Sequence, residues 1–201
     1  MSPARHPRAA VTGQRYSRGD HVPPRELTTI RSDLVPLPAQ DVLTHLVFRR
    51  FASCPICNVH LHSVARRHDE ITAAGVREVV VFHSPVEAML PHQGQLPFDA
   101  VADPDYRLYR EFGVGFSLRA VLDPRAWTAW LKPQAWRVGI REVRDPGGKW
   151  FSIRGASMRG MPAELLIEPD GHVLAAKYGT HADDQWSVDE VLRLASAQRR
   201  K

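Results

Sequence analysis

The sequence predicts an α/β fold in which a central mixed sheet is flanked by helices, with an N-terminal extension and a Trp-rich helical insert. Three observations carry this reading. Two apolar runs, Leu43 to Phe48 and Val76 to Phe82, bracket a stretch with helical periodicity, the pattern of a βαβ unit. The only two cysteines, in Cys54-Pro55-Ile56-Cys57, sit where the first run gives way to that helix. Late in the chain, Met161-Pro162 leads into a hairpin pattern that a capped helix closes.

The first twenty or so residues are rich in Arg, Pro, Gly and Ser and poor in aliphatics, so residues 1–21 are expected to be a disordered basic arm. A single domain is expected over 22–198. Leu27 to Ile30 and Leu34 to Leu37 read as a short extended pair, and Leu43 to Phe48 as a buried strand. Leu61, Val64, Ala65, His68 and Ile71 recur at helical spacing up to Gly75, which predicts one continuous helix opening at Cys54. Val76 to Phe82 is nearly all apolar, the composition of a strand covered on both faces. A short helix is expected around Glu87 to Leu90 and a strand at Phe98 to Ala102. Asp103-Pro104 reads as a capped start to a helix over Tyr106 to Phe112. The stretch from about 115 to 157, with Trp127, Trp130, Trp136 and Trp150, reads as an inserted core layer. Ala163 to Ile167, a Pro169-Asp170-Gly171 turn and His172 to Tyr178 then form a hairpin. Ser187 and Glu190 are spaced as a capping box for the final helix.

The 201 residues suffice for a real core, and no apolar run approaches the roughly 20 residues of a membrane span. The net charge of +5 sits in the tails. Residues 1–31 carry six Arg against Asp20 and Glu26, and Arg199, Arg200 and Lys201 add three, which leaves the middle at −2. That distribution argues against a nucleic-acid face. Two cysteines and no secretory signal point to the cytoplasm.

The chemistry centres on Cys54 and Cys57. The helix start directs free backbone N–H groups and the positive end of the dipole at the first sulfur, favouring the thiolate. Pro55 fits the first turn, where its missing N–H costs nothing. Cys54 is thus the expected nucleophile and Cys57 the resolving thiol. A ring this small makes a poor structural disulfide. Zinc is the stronger rival, through Cys54, Cys57, His60 and His62. The motif supplies only half a tetrahedral site, however, and the two histidines lie about 200° apart on a helix. Haem attachment needs His where Asn58 stands. No metal and no organic cofactor is expected.

Together with its element order, the chain resembles the thioredoxin fold, and within it the peroxiredoxin-like branch related to alkyl hydroperoxide reductase C and thiol-specific antioxidant proteins. The likeness rests on Val47-Phe48-Arg49-Arg50-Phe51 ahead of Cys54-Pro55-Ile56-Cys57, on Val101-Ala102-Asp103-Pro104-Asp105 with Leu108-Tyr109 and Phe112-Gly113-Val114, and on Met161-Pro162 with Glu168-Pro169-Asp170-Gly171. It spans roughly residues 30–195, the insert contributing little. The resemblance implies a cis Pro162 lying against the cysteines, with Met161 and Pro162 binding an extended substrate beside Pro55. Peroxidases of the wider family carry a Thr three residues before the nucleophile and a Pro seven before it, where this chain has Phe51 and Val47. Their hairpin arginine aligns with Pro162, leaving Arg159, Arg49 or Arg50 as substitute thiolate stabilisers. Side chains alternate along a strand, so at most one of Arg49 and Arg50 is expected to face the sulfur, the alternative for both being surface charge.

The sequence therefore predicts a thiol-disulfide oxidoreductase acting on a disulfide or peroxide substrate and recycled by an external thiol reductant. Neither nucleic acid nor membrane is expected as a partner, and a homodimer is compatible with the chain. Two alternatives stand beside this reading: a thiol peroxidase using the same cysteines, and a redox-sensing or metal-binding interaction protein whose insert contacts a partner.

Overall fold

Strand β3 (Leu43–Arg49) is buried along its whole length and organises the rest. A computed structural model describes residues 13–52, 55–115, 160–181 and 183–198; for residues 55–57 and 59 the backbone alone is described. The remaining elements are β1 (Arg25–Thr28), β2 (Leu34–Leu37), α1 (Pro55–Arg66), α2 (His68–Ala73), β4 (Val76–Phe82), α3 (Val86–Gln93), β5 (Asp99–Ala102), α4 (Arg107–Glu111), β6 (Ala163–Ile167), β7 (Val173–Tyr178) and α5 (Val188–Gln198). The main sheet runs in the order β5-β4-β3-β6-β7, and β1 and β2 form a separate antiparallel pair. Strands β3, β4 and β5 are mutually parallel, whereas β6 and β7 add to them antiparallel. This is the expected mixed sheet flanked by helices.

Alternation along β3 divides the core between the two faces of the sheet. Val47, Val80 and Leu166 pack on one side against Leu61, Val64, Ile71, Val188 and Val191 of the helices. Leu46, Phe48, Val79, Val81 and Leu165 pack on the other against Leu27, Val35, Tyr109 and Phe112. Each such side chain contributes roughly 1.5–3 kcal/mol when fully withdrawn from water, so a strand in the middle of the sheet is the hardest part of the fold to displace.

The helix expected to run unbroken to Gly75 is divided. The Arg67 backbone leaves helical geometry (φ −112°, ψ 20°), and its N–H donates to Val64 O at 3.1 Å, a tightened final turn. The Arg67 guanidinium then binds Glu70 of α2 and Asp189 of α5 at 2.8 and 2.7 Å. Gly75, at φ +68°, turns the chain into β4.

The start of α4 also differs. Asp103 does cap, its carboxylate accepting from the N–H groups of Arg107 and Tyr109, but across a turn that places Tyr106 at φ +57° before the helix. Ser187 and Glu190 form the expected capping box, with Glu190 Oε2 2.8 Å from Ser187 N. Packing begins before Val22. Gly19 N donates to Val173 O, Val173 N donates to Asp20 O, and Tyr16 N donates to the Tyr178 hydroxyl, so residues 16–20 line β7 rather than belong to a free arm. The insert expected at about 115–157 lies almost wholly outside the described residues. None of the described helices is long and apolar enough to cross a membrane.

Candidate active site at the carboxyl end of strand β3

The chain leaves β3 through Arg50, Phe51 and Ala52, and α1 opens at Pro55, the residue after Cys54, with Cys57 in its first turn. Cys54 itself lies outside the described residues. The exit from the strand is fixed by side chains from three directions. Ala52 N–H donates to Ser84 Oγ at 3.0 Å, and Ala52 O accepts from Asn58 Nδ2 at 3.2 Å and Gln93 Nε2 at 2.9 Å. Every partner is buried. A peptide leaving a sheet in the interior loses its ladder, and these side chains replace it.

Arg49 and Arg50 were expected to be surface charges unless one met the thiolate. Both are instead buried, because the sheet is covered on both faces and the strand ends beneath the helices. They diverge, as alternation requires. Arg49 Nη2 binds Glu164 Oε1 of β6 at 2.9 Å and lies 2.8 Å from His60 Nδ1, and Nη1 donates to Gln185 Oε1. Glu164 Oε2 accepts from Trp186 N at 2.5 Å, and His60 Nε2 donates to Trp186 O at 2.9 Å. With arginine donating to Nδ1, His60 is the neutral Nε2–H tautomer. The arginine is therefore consumed in tying α1 to β6 and to the approach to α5. Two same-face positions back along β3 from Arg49, His45 Nδ1 binds Glu78 at 2.9 Å, both side chains 1% exposed. Burial resists charge on the ring, but the Glu78 charge and hydrogen bond, with help from Glu164, outweigh it and raise the His45 pKa.

Arg50 turns the other way. It lies beside His83, whose backbone N–H donates to Arg50 O, at the carboxyl ends of β3 and β4. The His83 ring stacks on Tyr106 with centroids 5.0 Å apart and meets Tyr109 edge-on. Burial, reinforced by the Arg50 charge, pushes the His83 pKa down to about 4, so the ring is neutral near pH 7. Gly160 closes this corner. A Cβ there would stand 2.8 Å from His83 Nε2, so only glycine lets the hairpin approach.

The antiparallel register Phe48↔Ala163 sets the residues before Ala163 alongside those after Phe48, which brings half-buried Met161 and buried Pro162 to this edge. The cis peptide among the described residues is Leu37–Pro38, however, and Met161–Pro162 is trans. Met161 N–H donates to Gly115 O and Pro162 O accepts from Gly179 N–H, so the pair enters the hairpin in ordinary extended pairing. Of the predicted site residues, the structure thus gathers Arg50, Met161, Pro162 and the backbone of Pro55 and Cys57 at one edge. It directs Arg49 elsewhere, and Arg159 lies outside the described residues. Of the rival zinc set, His60 is held by Arg49 and Trp186 and His62 is exposed, while Cys54 and the Cys57 side chain lie outside what is described. Sequence reasoning missed Glu78, His83, Asn58, Gln93 and Glu164. The signal for the strand residues was present as opposite charges set in otherwise apolar runs.

The family model described as "AhpC/TSA antioxidant enzyme" matches residues 63–181, a span that begins after both cysteines. Among solved structures, the chain is similar to peroxidoxin BcpB from Mycobacterium tuberculosis (17% identity, TM-score 0.62, covering 90% of this chain and 97% of that one). It is also similar to the reduced 2-Cys peroxiredoxin of Plasmodium vivax (14%, 0.61, 92% and 98%) and to a thiol peroxidase from Chromobacterium violaceum (11%, 0.57, 93% and 90%). A comparison with curated protein sequences gives no match.

Proposed function

Since the chain belongs to the AhpC/TSA antioxidant enzyme family, whose members are thiol-dependent oxidoreductases, we propose that Cys54 and Cys57 are its working dithiol. The observation that carries this reading is the helix start: α1 opens directly after Cys54 and holds Cys57 in its first turn, at the carboxyl edge of the sheet where α/β folds place their ligands. The positive end of a helix dipole favours a thiolate at the residue preceding the first turn. Arg50 brings a buried guanidinium to the same edge, whereas Arg49 is held by Glu164.

In the proposed cycle the Cys54 thiolate attacks one sulfur of a disulfide and expels the other as a thiolate, forming a mixed disulfide. The Cys57 thiolate then attacks Cys54 Sγ, closes the Cys54–Cys57 bond and releases the second substrate thiol. An external dithiol returns the pair to the reduced form. Met161 and Pro162 flank the entry and offer an extended substrate a wall.

The second reading is a thiol peroxidase, favoured by the family and by the buried Arg50. Cys54 would attack the distal peroxide oxygen, the O–O bond would break to release alcohol or water, and the resulting sulfenic acid would condense with Cys57 with loss of water. Phe51 and Val47, where peroxidases of the family carry Thr and Pro, weigh for the first. Replacement tests the shared core of both readings: Cys54→Ser should abolish turnover with every oxidant, and Cys57→Ser should trap mixed disulfides. Loss of all oxidant reactivity in Cys57→Ser alone would reverse the roles.

A further inference from the structure

The geometry assigns Asn58, Gln93 and Ser84 a role as positioning residues that clasp the Ala52 peptide and thereby fix the Cys54 segment against the start of α1. This rests on the reading of Cys54 as the nucleophile and goes beyond it, since none of these side chains carries a redox group.

Ala52 stands two residues before Cys54, and its N–H and C=O are both taken by side chains: Ser84 Oγ at 3.0 Å on the N–H, Asn58 Nδ2 at 3.2 Å and Gln93 Nε2 at 2.9 Å on the oxygen. Gln93 Nε2 also lies 3.3 Å from Asn58 Oδ1, so the two amides brace each other. Exposure is 3% for Ala52, 5% for Asn58, 6% for Ser84 and 1% for Gln93. Hydrogen bonds withdrawn from water in this way hold their geometry against competition.

The arrangement matters because of what it encloses. Asn58 is the fourth residue of α1, so its bond to Ala52 O ties the end of the strand to the helix across residues 53–57, the span that holds both cysteines. Gln93 of α3 and Ser84 after β4 anchor the same peptide to the neighbouring strand and helix. A nucleophile gains from a helix N-terminus only while its sulfur stays near the free N–H groups, an effect confined to the first turn. A clasp at Ala52 limits how far that segment can swing away. A Cys54–Cys57 bond would close wholly inside the clasped span, so the clasp can hold in both redox forms.

The test alkylates Cys54 with iodoacetamide as a function of pH in full-length protein, first wild type with the modified cysteine mapped by mass, then in a Cys57→Ser background carrying Gln93→Met, Asn58→Leu or Ser84→Ala. Gln93→Met keeps the side-chain volume and removes both amide contacts. Each variant is expected to react about fivefold more slowly near pH 7, the equivalent of one lost hydrogen bond, with the pH midpoint of reaction moved upward. A variant that lowers the urea midpoint but leaves the alkylation pH profile and rate unchanged overturns the positioning role. Should Gln93→Met or Asn58→Leu fail to fold, Ser84→Ala, which removes a single bond at the edge of the clasp, carries the same two outcomes. If the wild-type protein is labelled first at Cys57, or titrates as an ordinary thiol near pH ~8.5, the nucleophile assignment and the positioning role fall together. A depressed wild-type midpoint with unaltered variants overturns the positioning role alone.

Discussion

Arg49 and Glu164 form an ion pair 2.9 Å long with both side chains 1% exposed, joining the last residue of β3 to the second residue of β6. Glu164 completes its coordination with Trp186 N and Arg49 with Gln185 and His60, so the pair also fixes α1 and the approach to α5. Removing one partner leaves a buried charge without its counter-ion, which typically costs about 3–5 kcal/mol. Glu164→Gln is therefore expected to lower the urea unfolding free energy by about that much. The double replacement Arg49→Met/Glu164→Leu should recover most of the loss, because no charge remains to be desolvated. Equal destabilisation in both variants would show that the pair's hydrogen bonds rather than its charges hold this junction.

His45 adds a pH-dependent contribution with a definite sign. Its ring is buried, which resists the proton, but Glu78 and, more weakly, Glu164 overcome this and raise its pKa above the ordinary 6.5. The folded protein then holds a proton that the unfolded chain has begun to lose. The stabilisation is fully present below about pH 6.5 and is lost as pH rises through the folded value. Glu78→Gln should remove this alkaline decline, as read from urea midpoints between pH 6 and 9. A wild-type protein whose midpoint does not depend on His45 or Glu78 across that window would contradict the assignment.

His83 acts in the opposite direction. Burial, aided by the Arg50 charge, sets its pKa to about 4, below the 6.5 of the unfolded chain. Between those values the unfolded state binds the extra proton, so stability falls as pH drops through the window, with a slope approaching ~1.4 kcal/mol per pH unit. His83→Phe should flatten this acid limb, the ring stack on Tyr106 being retained. Arg50→Met should raise the imidazole midpoint, measurable from the His83 ring protons by NMR. A midpoint that stays near 4 in Arg50→Met would assign the shift to burial alone.

Much of the architecture is legible in the chain because it is written locally. Leu43 to Phe48 and Val76 to Phe82 declare themselves as covered strands by composition, Ser187 and Glu190 form their cap three residues apart, and Pro169-Asp170-Gly171 marks its own turn. The candidate site is legible only where it is equally local, in Cys54-Pro55-Ile56-Cys57 and the hairpin entry. Its supporting groups are not. Arg49 meets Glu164 across 115 positions, and a strand arginine reads as solvated until the register of β3 on β6 is known. Asn58 and Gln93 are polar residues at helical positions, ordinary on a surface, and only the packing of α3 beside Ala52 gives them a partner. The break at Arg67 was hidden for a related reason: the apolar spacing continues across it, while the ion pair to Asp189 comes from the far end of the chain.

The most direct measurement oxidises the fully reduced protein with hydrogen peroxide and, in parallel, with a small-molecule disulfide, follows the rate by stopped flow, then blocks remaining thiols and maps the products by mass. The dithiol account expects an intramolecular Cys54–Cys57 disulfide as the end product, formed much faster than free cysteine reacts with at least one of the two oxidants. Whichever oxidant is fast decides between disulfide and peroxide as the substrate class. Oxidation no faster than free cysteine with both, or a product in which Cys54 is oxidised and Cys57 remains a free thiol, would contradict the account.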